Sequence, residues 1–382
     1  VMIGREVFQY GYIADSATLG NVTRAQDGSL ATVHEVGEIV SQNQCALIIT
    51  VSTPAINPAA QRQYQQSLRQ PVVLAVGSSG SVFSWNVPTE LAWSMQTLSN
   101  TSDLNAISAL NYGSAWAVSS VVGANTTFAR LQGTTWTSFA IKFPINTGLL
   151  GLYATSEKEV WALGARHGND TNIIRWTRNA TNDNTNWCQL PCSGITLTEI
   201  SMQNKDKDLY AIKAYDVNGD GFADIGFAVG GNDGVGVIMY YSGTGWSPVN
   251  AAPLNYTLPA NIGNLRGLDI TPNGNSTPKE FFFVGQTSSG SPPGLLIRLR
   301  VIGGVPSWSA ITLPQTLTSV SVIDTDGDGL ADLGCAVGYN GSVTLFNSSL
   351  TPTTTTLSGA STTTLESVTL LNTNDIWVTG DN

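Results

Sequence analysis

Two acidic loops of near-identical sequence carry the residues best suited to chemistry. They read Asp216-Val-Asn-Gly-Asp-Gly-Phe-Ala-Asp224 and Asp324-Thr-Asp-Gly-Asp-Gly-Leu-Ala-Asp332. Oxygen-bearing side chains stand at positions 1, 3, 5 and 9 of each loop, and glycines at positions 4 and 6 let the backbone turn tightly. Ca²⁺ prefers oxygen ligands, several of them carboxylates, so this spacing predicts two calcium sites. The alternative is a pair of solvated Asp/Gly turns, since neither loop has the Glu at position 12 that completes an EF-hand loop.

A repeating strand pattern positions both loops. Each loop is followed by a similar apolar run, Ile225-Gly-Phe-Ala-Val-Gly230 or Leu333-Gly-Cys-Ala-Val-Gly338. Related runs recur along the chain, with Trp116, Trp161 and Trp377 at the matching position. Each repeat holds four short strands separated by Gly/Asn turns, which is typical of a propeller blade. The predicted fold class is all-β, a seven-bladed β-propeller of four-stranded antiparallel blades that forms a single domain over residues 1–382.

The two ends of the chain are predicted to share the last blade. Residues 365–382 would supply its first two strands and residues 1–40 the other two, so that no sheet edge stays open. In the first blade, residues 53–71 read as a helical insertion, with Asn57 as N-cap and proline at the first helical position. The other blades are predicted at about 45–98, 103–141, 146–192, 195–251, 262–314 and 315–358. The fifth of these has a loop from Asp269 that is poor in carboxylates, which we interpret as a lapsed site.

Composition excludes several classes of partner. Charged residues make up 12% of the chain, the formal net charge is −10, and the 17 Lys and Arg residues form no cluster. We therefore expect neither nucleic-acid binding nor attraction to an anionic membrane. No apolar run approaches the ~18 residues of a membrane span, so membrane insertion is not expected. A chain that begins at Val1 suits a processed protein, which favours an extracellular location.

Cysteines and sequons point to the same compartment. Cys188 and Cys192, in Cys-Gln-Leu-Pro-Cys, could close a small disulfide loop, or they could be two free thiols. Cys45 and Cys335 lie in apolar strands and are interpreted as buried small hydrophobes. Nine Asn-X-Ser/Thr sequons in a weakly charged chain favour a glycosylated surface. The candidate glycosylation sites are Asn21, Asn100, Asn125, Asn169, Asn179, Asn255, Asn275, Asn340 and Asn347.

Catalysis finds little support in the residue types. The histidines are His34 and His167, and neither stands in a Ser-His-Asp pattern. The remaining carboxylates that could act as a glycosidase pair follow no motif. We therefore predict that the chain is not an enzyme, and we assign the ten Trp residues to packing between blades rather than to sugar stacking. The scattered carboxylates are Glu35, Glu38, Glu157, Glu159, Glu199 and Glu366.

The acidic loops with their following strands resemble the FG-GAP or VCBS repeats of integrin-α-like propellers and fungal propeller lectins, over about a quarter of the chain. The resemblance implies two Ca²⁺ ions bound mostly by side chains, with one backbone carbonyl in each site. The implied ligands are Asp216, Asn218, Asp220, Asp224 and the Phe222 carbonyl in the first loop, and Asp324, Asp326, Asp328, Asp332 and the Leu330 carbonyl in the second.

Proteins of this kind adhere, assemble or bind glycans, and few are enzymes. We therefore expect a secreted, calcium-stabilised, non-catalytic module on the cell surface or a surface appendage. Its partners would be proteins or glycans, or further copies of itself in an oligomer or polymer. Because all ligands of each site come from one loop, a structural role of the ion is favoured over a bridge to an acidic ligand. A lectin is the first alternative, and a glycoside-active enzyme is the second.

Overall fold

The structure is a computed structural model that falls into two compact units, Val1–Arg69 and Gln70–Asn382. Strands and short turns dominate, and within the described part of the chain no helix has the length and apolar character needed to span a bilayer. The described residues are 2–3, 6–7, 12–15, 18–20, 40–41, 72–86, 94–98, 103–111, 113–122, 125–141, 148–165, 172–178, 195–201, 207–271, 277–289 and 293–381.

The first unit contains short strands in two antiparallel sheets. One sheet has the order β2-β1-β5 and the other pairs β3 with β4. The strands are β1 (Met2–Ile3), β2 (Glu6–Val7), β3 (Tyr12–Asp15), β4 (Thr18–Gly20) and β5 (Val40–Ser41).

Among its described residues, the second unit contains five four-stranded antiparallel sheets, in which each strand pairs with the next along the chain. We number the sheets of this unit 1 to 7 in chain order, and the four-stranded ones are sheets 2 to 6. Their strands are β9 (Leu104–Asn111), β10 (Ser114–Val122), β11 (Asn125–Gln132) and β12 (Thr135–Ile141); β13 (Leu149–Ser156), β14 (Glu159–Gly164), β15 (Asn172–Arg178) and β16 (Ile195–Ser201); β17 (Leu209–Tyr215), β18 (Ile225–Asn232), β19 (Val235–Tyr241) and β20 (Trp246–Pro248); β21 (Ile262–Ile270), β22 (Glu280–Thr287), β23 (Gly294–Ile302) and β24 (Val305–Leu313); and β25 (Leu317–Ile323), β26 (Leu333–Gly338), β27 (Ser342–Asn347) and β28 (Thr353–Thr356).

Sheets 1 and 7 flank these five in the chain. Sheet 1 has three described strands and sheet 7 has two. The described part of the chain also has two short 3-10 turns, η1 (Ser78–Gly80) in sheet 1 and η2 (Tyr339–Gly341) in sheet 6. The strands of the two sheets are β6 (Val72–Val76), β7 (Ser81–Asn86), β8 (Ser94–Thr97), β29 (Leu365–Asn372) and β30 (Asp375–Gly380).

Local sequence explains the tight hairpins of these sheets. Asp233 and Gly234 join β18 to β19, and Gly303 and Gly304 join β23 to β24. All four have positive φ, between 52° and 79°. Two-residue hairpin turns of this handedness match the twist of the flanking strands, and Asp-Gly and Gly-Gly adopt them at low cost.

Neighbouring sheets pack face to face along the chain. The first strands β9, β13, β17, β21, β25 and β29 each contact the next in this series. One core cluster joins Trp116 and Phe128 of sheet 2 to Leu152, Val160 and Trp176 of sheet 3, and similar clusters lie between the later sheets. Most apolar residues of the second strands of sheets 2 to 6 are therefore buried between sheets.

The boundary between sheets 3 and 4 differs from the predicted division into blades 146–192 and 195–251. The strand Ile195–Ser201 pairs with β15 and is therefore the fourth strand of sheet 3. Sheet 4 begins with Leu209, whose strand β17 pairs with β18. Trp187, in the predicted blade 146–192, lies outside the described residues.

Other predictions on the fold stay open. The helical insertion at 53–71 lies outside the described residues. Sheet 7 consists of β29 and β30, and the described strands of residues 1–41 pair among themselves. A last blade shared by 365–382 and 1–40, and the seven-blade count, therefore remain predictions.

Candidate metal loops and the residues that hold them

Both acidic loops connect the first strand of a sheet to its second strand. Loop 216–224 runs from β17 to β18, and loop 324–332 runs from β25 to β26. Each is closed by its last residue: Asp224 donates its N–H to the Tyr215 carbonyl at 3.0 Å, and Asp332 donates to the Ile323 carbonyl at 3.0 Å. The two loops therefore have the same length and the same closure. We call them metal loop 1 and metal loop 2.

The glycines are required by the backbone of both loops. Gly219 and Gly221 have φ of 81° and 94°, and Gly327 and Gly329 have φ of 80° and 83°. Side-chain-bearing residues rarely adopt this left-handed region. Glycines at positions 4 and 6 therefore let the chain fold back on itself around position 1.

The first Asp of each loop organises the backbone inside it. Asp216 accepts the N–H of Gly219 at 2.6 Å and the N–H of Gly221 at 2.8 Å, one on each carboxylate oxygen. Asp324 accepts the N–H groups of Gly327 at 2.7 Å and Gly329 at 2.8 Å in the same way. Since these bonds recur, the two sequences fold into one geometry.

Metal loop 2 brings three carboxylates together. Asp324, Asp326 and Asp332 each offer an oxygen, and these oxygens lie within 4.8 Å of one another. Asp324 is buried, whereas Asp326 is exposed. Asp328, also predicted as a ligand, is outside this group and accepts the N–H of Leu330 at 2.7 Å.

An amide replaces one of these carboxylates in metal loop 1. The Asn218 Nδ2 donates to Asp224 Oδ1 at 3.0 Å, and the Asn218 Oδ1 accepts the N–H of Asp220 at 2.8 Å. Phe222, at position 7, donates its N–H to Asp220 Oδ1 at 2.8 Å. Oxygen-bearing groups therefore occupy the same positions in both loops, and metal loop 1 carries one negative charge fewer than metal loop 2.

Hydrogen bonds favour the charged form of Asp332. The Thr325 hydroxyl and the Thr325 N–H both donate to its Oδ2, the N–H at 2.7 Å. These bonds to the Thr325 side chain and backbone lower the pKa of Asp332 below its ordinary value. A carboxylate held in its charged form is suited to bind a cation.

The donor set of both loops fits calcium. It consists of carboxylate and amide oxygens, which hard cations such as Ca²⁺ prefer over the nitrogen and sulfur ligands chosen by zinc. The side chains of Asp216, Asn218, Asp220 and Asp224 would hold the ion in the first loop. Asp324, Asp326, Asp328 and Asp332 would hold it in the second. The Phe222 and Leu330 carbonyls stay predicted ligands.

Sequence analysis missed two glutamates that hold these loops from the preceding sheet. Glu159, the first residue of β14, is fully buried and accepts the N–H of Ala223 in metal loop 1 at 2.6 Å. Glu280, the first residue of β22, is equally buried and accepts the N–H of Ala331 in metal loop 2 at 2.7 Å. Ala223 and Ala331 both stand at position 8.

A signal for these residues does exist in the sequence. One sheet before each metal loop, a Lys-Glu pair stands where the second strand begins, with the lysine just before the strand. The two sequences are Lys158-Glu159-Val-Trp and Lys279-Glu280-Phe-Phe. We had interpreted Glu159 as a scattered carboxylate. Comparison of the repeats one sheet apart, rather than within a repeat, would have revealed the recurring Lys-Glu pair.

The suspected lapsed site starts at a different residue. Asp269 lies within β21 and is opposite Phe282, so it is not the first residue of a loop. Strand β21 continues to Ile270, which is 8% exposed and pairs with Phe281. Thr271 therefore occupies the position that Asp216 has in metal loop 1. The strand extends past Asp269 because the apolar Ile270 is buried as part of it.

The remaining predicted sites have these positions. Cys188 and Cys192 lie outside the described residues, as do Asn21, Asn100, Asn169, Asn179 and Asn275. Asn125 begins β11, and nothing is described of its side chain. Asn255, Asn340 and Asn347 are exposed, and their glycosylation remains a prediction.

Three described tryptophans of the second and third strands are packing residues. Trp116, Trp161 and Trp176 are all at most 1% exposed. Trp161 makes edge-on contacts with Tyr241 and Trp246 of the next sheet, with ring centroids 5.0 Å and 5.7 Å apart. These three rings are therefore unavailable for stacking on a sugar.

Comparison with known proteins supports the β-propeller fold but no particular family. No family model and no curated protein matches the chain. Among solved structures it is similar to the crystal structure of the WD40 β-propeller domain of Doa1, with a TM-score of 0.51 and 12% identity over 82% of this chain and 86% of that one. The chain therefore has a β-propeller fold, while the FG-GAP or VCBS relationship stays a prediction.

Proposed function

We propose that this chain is a calcium-stabilised, non-catalytic β-propeller that serves outside the cell as a structural or adhesive module. The observation that carries the proposal is the convergence of Asp324, Asp326 and Asp332, whose oxygens approach within 4.8 Å in a loop organised by Asp324. Metal loop 1 repeats that backbone arrangement around Asp216.

Electrostatics favour a bound cation over a merely solvated turn. Carboxylates at this spacing repel one another, and a divalent cation between them replaces the repulsion by attraction. Bound calcium would supply a fixed positive charge that ties the end of the first strand to the start of the second. Since all these ligands come from one loop, the ion is proposed to stabilise the sheet rather than to bridge to a ligand.

The partners of two glutamates, the buried Glu159 and the partly exposed Glu157, support a non-catalytic role. Glu159 accepts a hydrogen bond from Arg175 on one oxygen and from Ala223 on the other. Glu157 forms an ion pair with Arg130 at 2.9 Å. These carboxylates are committed to partners in the folded chain, which does not suit a general acid or base that must reach a substrate.

Exposed apolar side chains support contact with another protein. Ile302 and Val305 flank the hairpin turn between β23 and β24 and are 55% and 68% exposed. Met95 on β8 is 61% exposed. Because the three buried tryptophans offer no platform for sugars, a protein partner or a second copy of the chain is preferred over a glycan.

Calorimetric titration of the chelator-treated chain with CaCl₂ tests the cation part of the proposal. Two ions should bind each chain, and one ion should bind each of the variants Asp220→Ala and Asp328→Ala. Absence of binding heat together with unchanged melting in calcium would overturn the calcium sites. Substitution of the partly exposed Asp375 by Asn is a matched loss of charge outside both loops and should leave two sites.

Light scattering of the full chain, with and without calcium, tests self-assembly. A mass that rises with protein concentration supports self-association, and Val305→Ser should reduce it if the hairpin takes part. A constant monomer mass would reject self-association and leave a different protein as the partner. Binding to a glycan array in calcium would favour the lectin alternative.

A further inference from the structure

The two metal loops are held by the same pair of residues of the preceding sheet. Lys158 and Glu159 stand at the start of β14, next to metal loop 1, and Lys279 and Glu280 stand at the start of β22, next to metal loop 2. Their contacts fall on identical loop positions. We call each pair a Lys-Glu clamp.

The glutamate of each clamp is a buried, fully paired anion. Glu159 accepts the Ala223 N–H on Oε2 and the Arg175 Nε on Oε1, at 2.6 Å and 2.7 Å. Glu280 accepts Ala331 and Arg300 in the same way, at 2.7 Å and 2.6 Å. Such a charge is tolerated in the interior because each oxygen has a strong donor.

The supporting arginines come from different places in the two sheets. Arg175 on β15 is opposite Trp161, whereas Arg300 on β23 is directly opposite Glu280. Both nevertheless place a guanidinium on the same oxygen of the clamp glutamate, with Nη2 at 2.5 Å. The arginine therefore stands at a different place in the two sheets, whereas its contact with the clamp glutamate is the same in both.

The lysine of each clamp contacts a second position of the loop. Lys158 Nζ donates to the Asp220 carbonyl at 2.7 Å, and Lys279 Nζ donates to the Asp328 carbonyl. Both carbonyls belong to position 5, whose side chain is a predicted ligand. Lysine and glutamate together therefore hold positions 5 and 8, on either side of the predicted carbonyl ligand at position 7.

We propose that the Lys-Glu clamps are positioning residues that hold the metal loops in cation-binding geometry, so that the affinity of each site depends on the neighbouring sheet. The inference rests on the proposed function, since it takes the loops as calcium sites. Residues that orient metal ligands without touching the metal typically change affinity 10- to 100-fold when replaced. A loop held before binding has less conformational entropy to lose when the ion enters.

Single-site backgrounds make the test specific. In Asp220→Ala the site in metal loop 2 remains, and in Asp328→Ala the site in metal loop 1 remains. CaCl₂ titration calorimetry of the full chain gives the affinity of the remaining site. Adding Glu280→Gln or Lys279→Met to the first background, or Glu159→Gln or Lys158→Met to the second, should weaken calcium roughly 10-fold or more.

Matched controls separate positioning from general damage. Glu157→Gln removes another inter-sheet ion pair, with Arg130, and Lys207→Met removes the lysine that donates to Asn232 at 2.7 Å. Both controls should keep the affinity of metal loop 2 within about twofold. If the clamp variants also stay within twofold, or if the controls weaken calcium as much as the clamp variants do, the clamp proposal is wrong.

A second measurement needs no metal. In chelator, hydrogen exchange of the Ala331 amide should be slow in the unmodified chain and faster in Glu280→Gln, because its acceptor has lost its charge. Equal exchange would reject the clamp even where Glu280→Gln is too unstable for titration. If both single-site backgrounds fail to bind calcium while this exchange difference is present, the proposed function fails and the clamp remains as a structural contact.

Discussion

Lys213 on β17 and Asp269 on β21 form an ion pair across two neighbouring first strands, with Nζ and Oδ1 3.2 Å apart. The other oxygen of Asp269 accepts the N–H of Val322 on β25 at 2.9 Å. Lys213 and Val322 lie three and two residues before the two metal loops, respectively. One carboxylate on sheet 5 therefore ties together the strands that lead into both loops.

Replacing Asp269 by Asn should destabilise the chain. Asp269 is 13% exposed in its side chain and Lys213 is 35% exposed, so the lysine would be left without its counter-charge in a largely buried place. We expect a loss of about 1–3 kcal/mol in the free energy of unfolding, measured by urea denaturation. The double variant Lys213→Met/Asp269→Asn is the control, and additive losses would show that the pair is uncoupled.

Alkaline pH should weaken the same cluster. Burial lowers the pKa of Lys213, but the charge of Asp269 and its hydrogen bond outweigh burial and raise that pKa overall. Burial raises the pKa of Tyr153, whose ring lies under the Lys213 ammonium at 5.1 Å. Both groups hold their protons more tightly when folded, so their contribution to stability is present below about pH 10 and is lost as the pH rises further.

Urea denaturation at several pH values checks this. The free energy of unfolding should fall more steeply above about pH 10 in the unmodified chain than in Tyr153→Phe, which has no phenol to ionise. An identical slope in both chains would show that Tyr153 ionises as readily folded as unfolded.

Much of the fold could be predicted because a propeller repeats its local pattern. Alternating apolar strands, Gly turns and the recurring Trp position indicated four-stranded units, and Trp116 and Trp161 are fully buried as expected for packing residues. Both metal loops directly precede the apolar strands that the repeat pattern indicated. These features are local, so the residues that cause them are adjacent in sequence.

Contacts between sheets could not be predicted in the same way. Glu159 and Ala223 are separated by 64 positions, and no local pattern states which N–H a buried carboxylate will meet. Asp269 was interpreted as a loop residue because Asp, Pro, Asn and Gly follow one another there, yet pairing of Ile270 with Phe281 extends the strand past it. Tertiary packing decided both cases, through contact between neighbouring sheets in the first and through strand register in the second.

Calcium should raise the melting temperature of the chain. An ion that binds the folded form stabilises it by mass action, by about 2.7 kcal/mol per site at 100 times the dissociation constant. Scanning calorimetry should show a rise of several degrees in calcium, reversed by chelator and roughly halved in Asp328→Ala. Mg²⁺ at equal concentration should act more weakly, because it demands a smaller octahedral cage. A melting temperature indifferent to calcium and chelator would contradict the metal loops as calcium sites.

Trp161→Ala should be among the most destabilising substitutions. The ring is fully buried and packs against Tyr241 and Trp246 of the next sheet, so its removal leaves a cavity between sheets. Such changes typically cost about 3–5 kcal/mol, measured by urea denaturation. Trp308→Ala is the matched control, since that ring is only partly buried. Equal losses in the two variants would argue against blade packing as the role of Trp161.

Cys335 should resist thiol reagents as long as the chain is folded. It lies on β26 with no exposed surface, in the core cluster with Val337, Leu365 and Val368. Burial raises the pKa of its thiol to about 12, so almost none of the reactive thiolate exists at neutral pH. Mass-spectrometric mapping after iodoacetamide treatment should find Cys335 unmodified in buffer and modified in concentrated guanidinium chloride.

Because Leu365 and Val368 belong to sheet 7, labelling of Cys335 also reports whether sheet 7 has separated from sheet 6. Rapid labelling of the folded chain would mean that these two sheets open readily, and the packing between them would then be weaker than their shared core indicates.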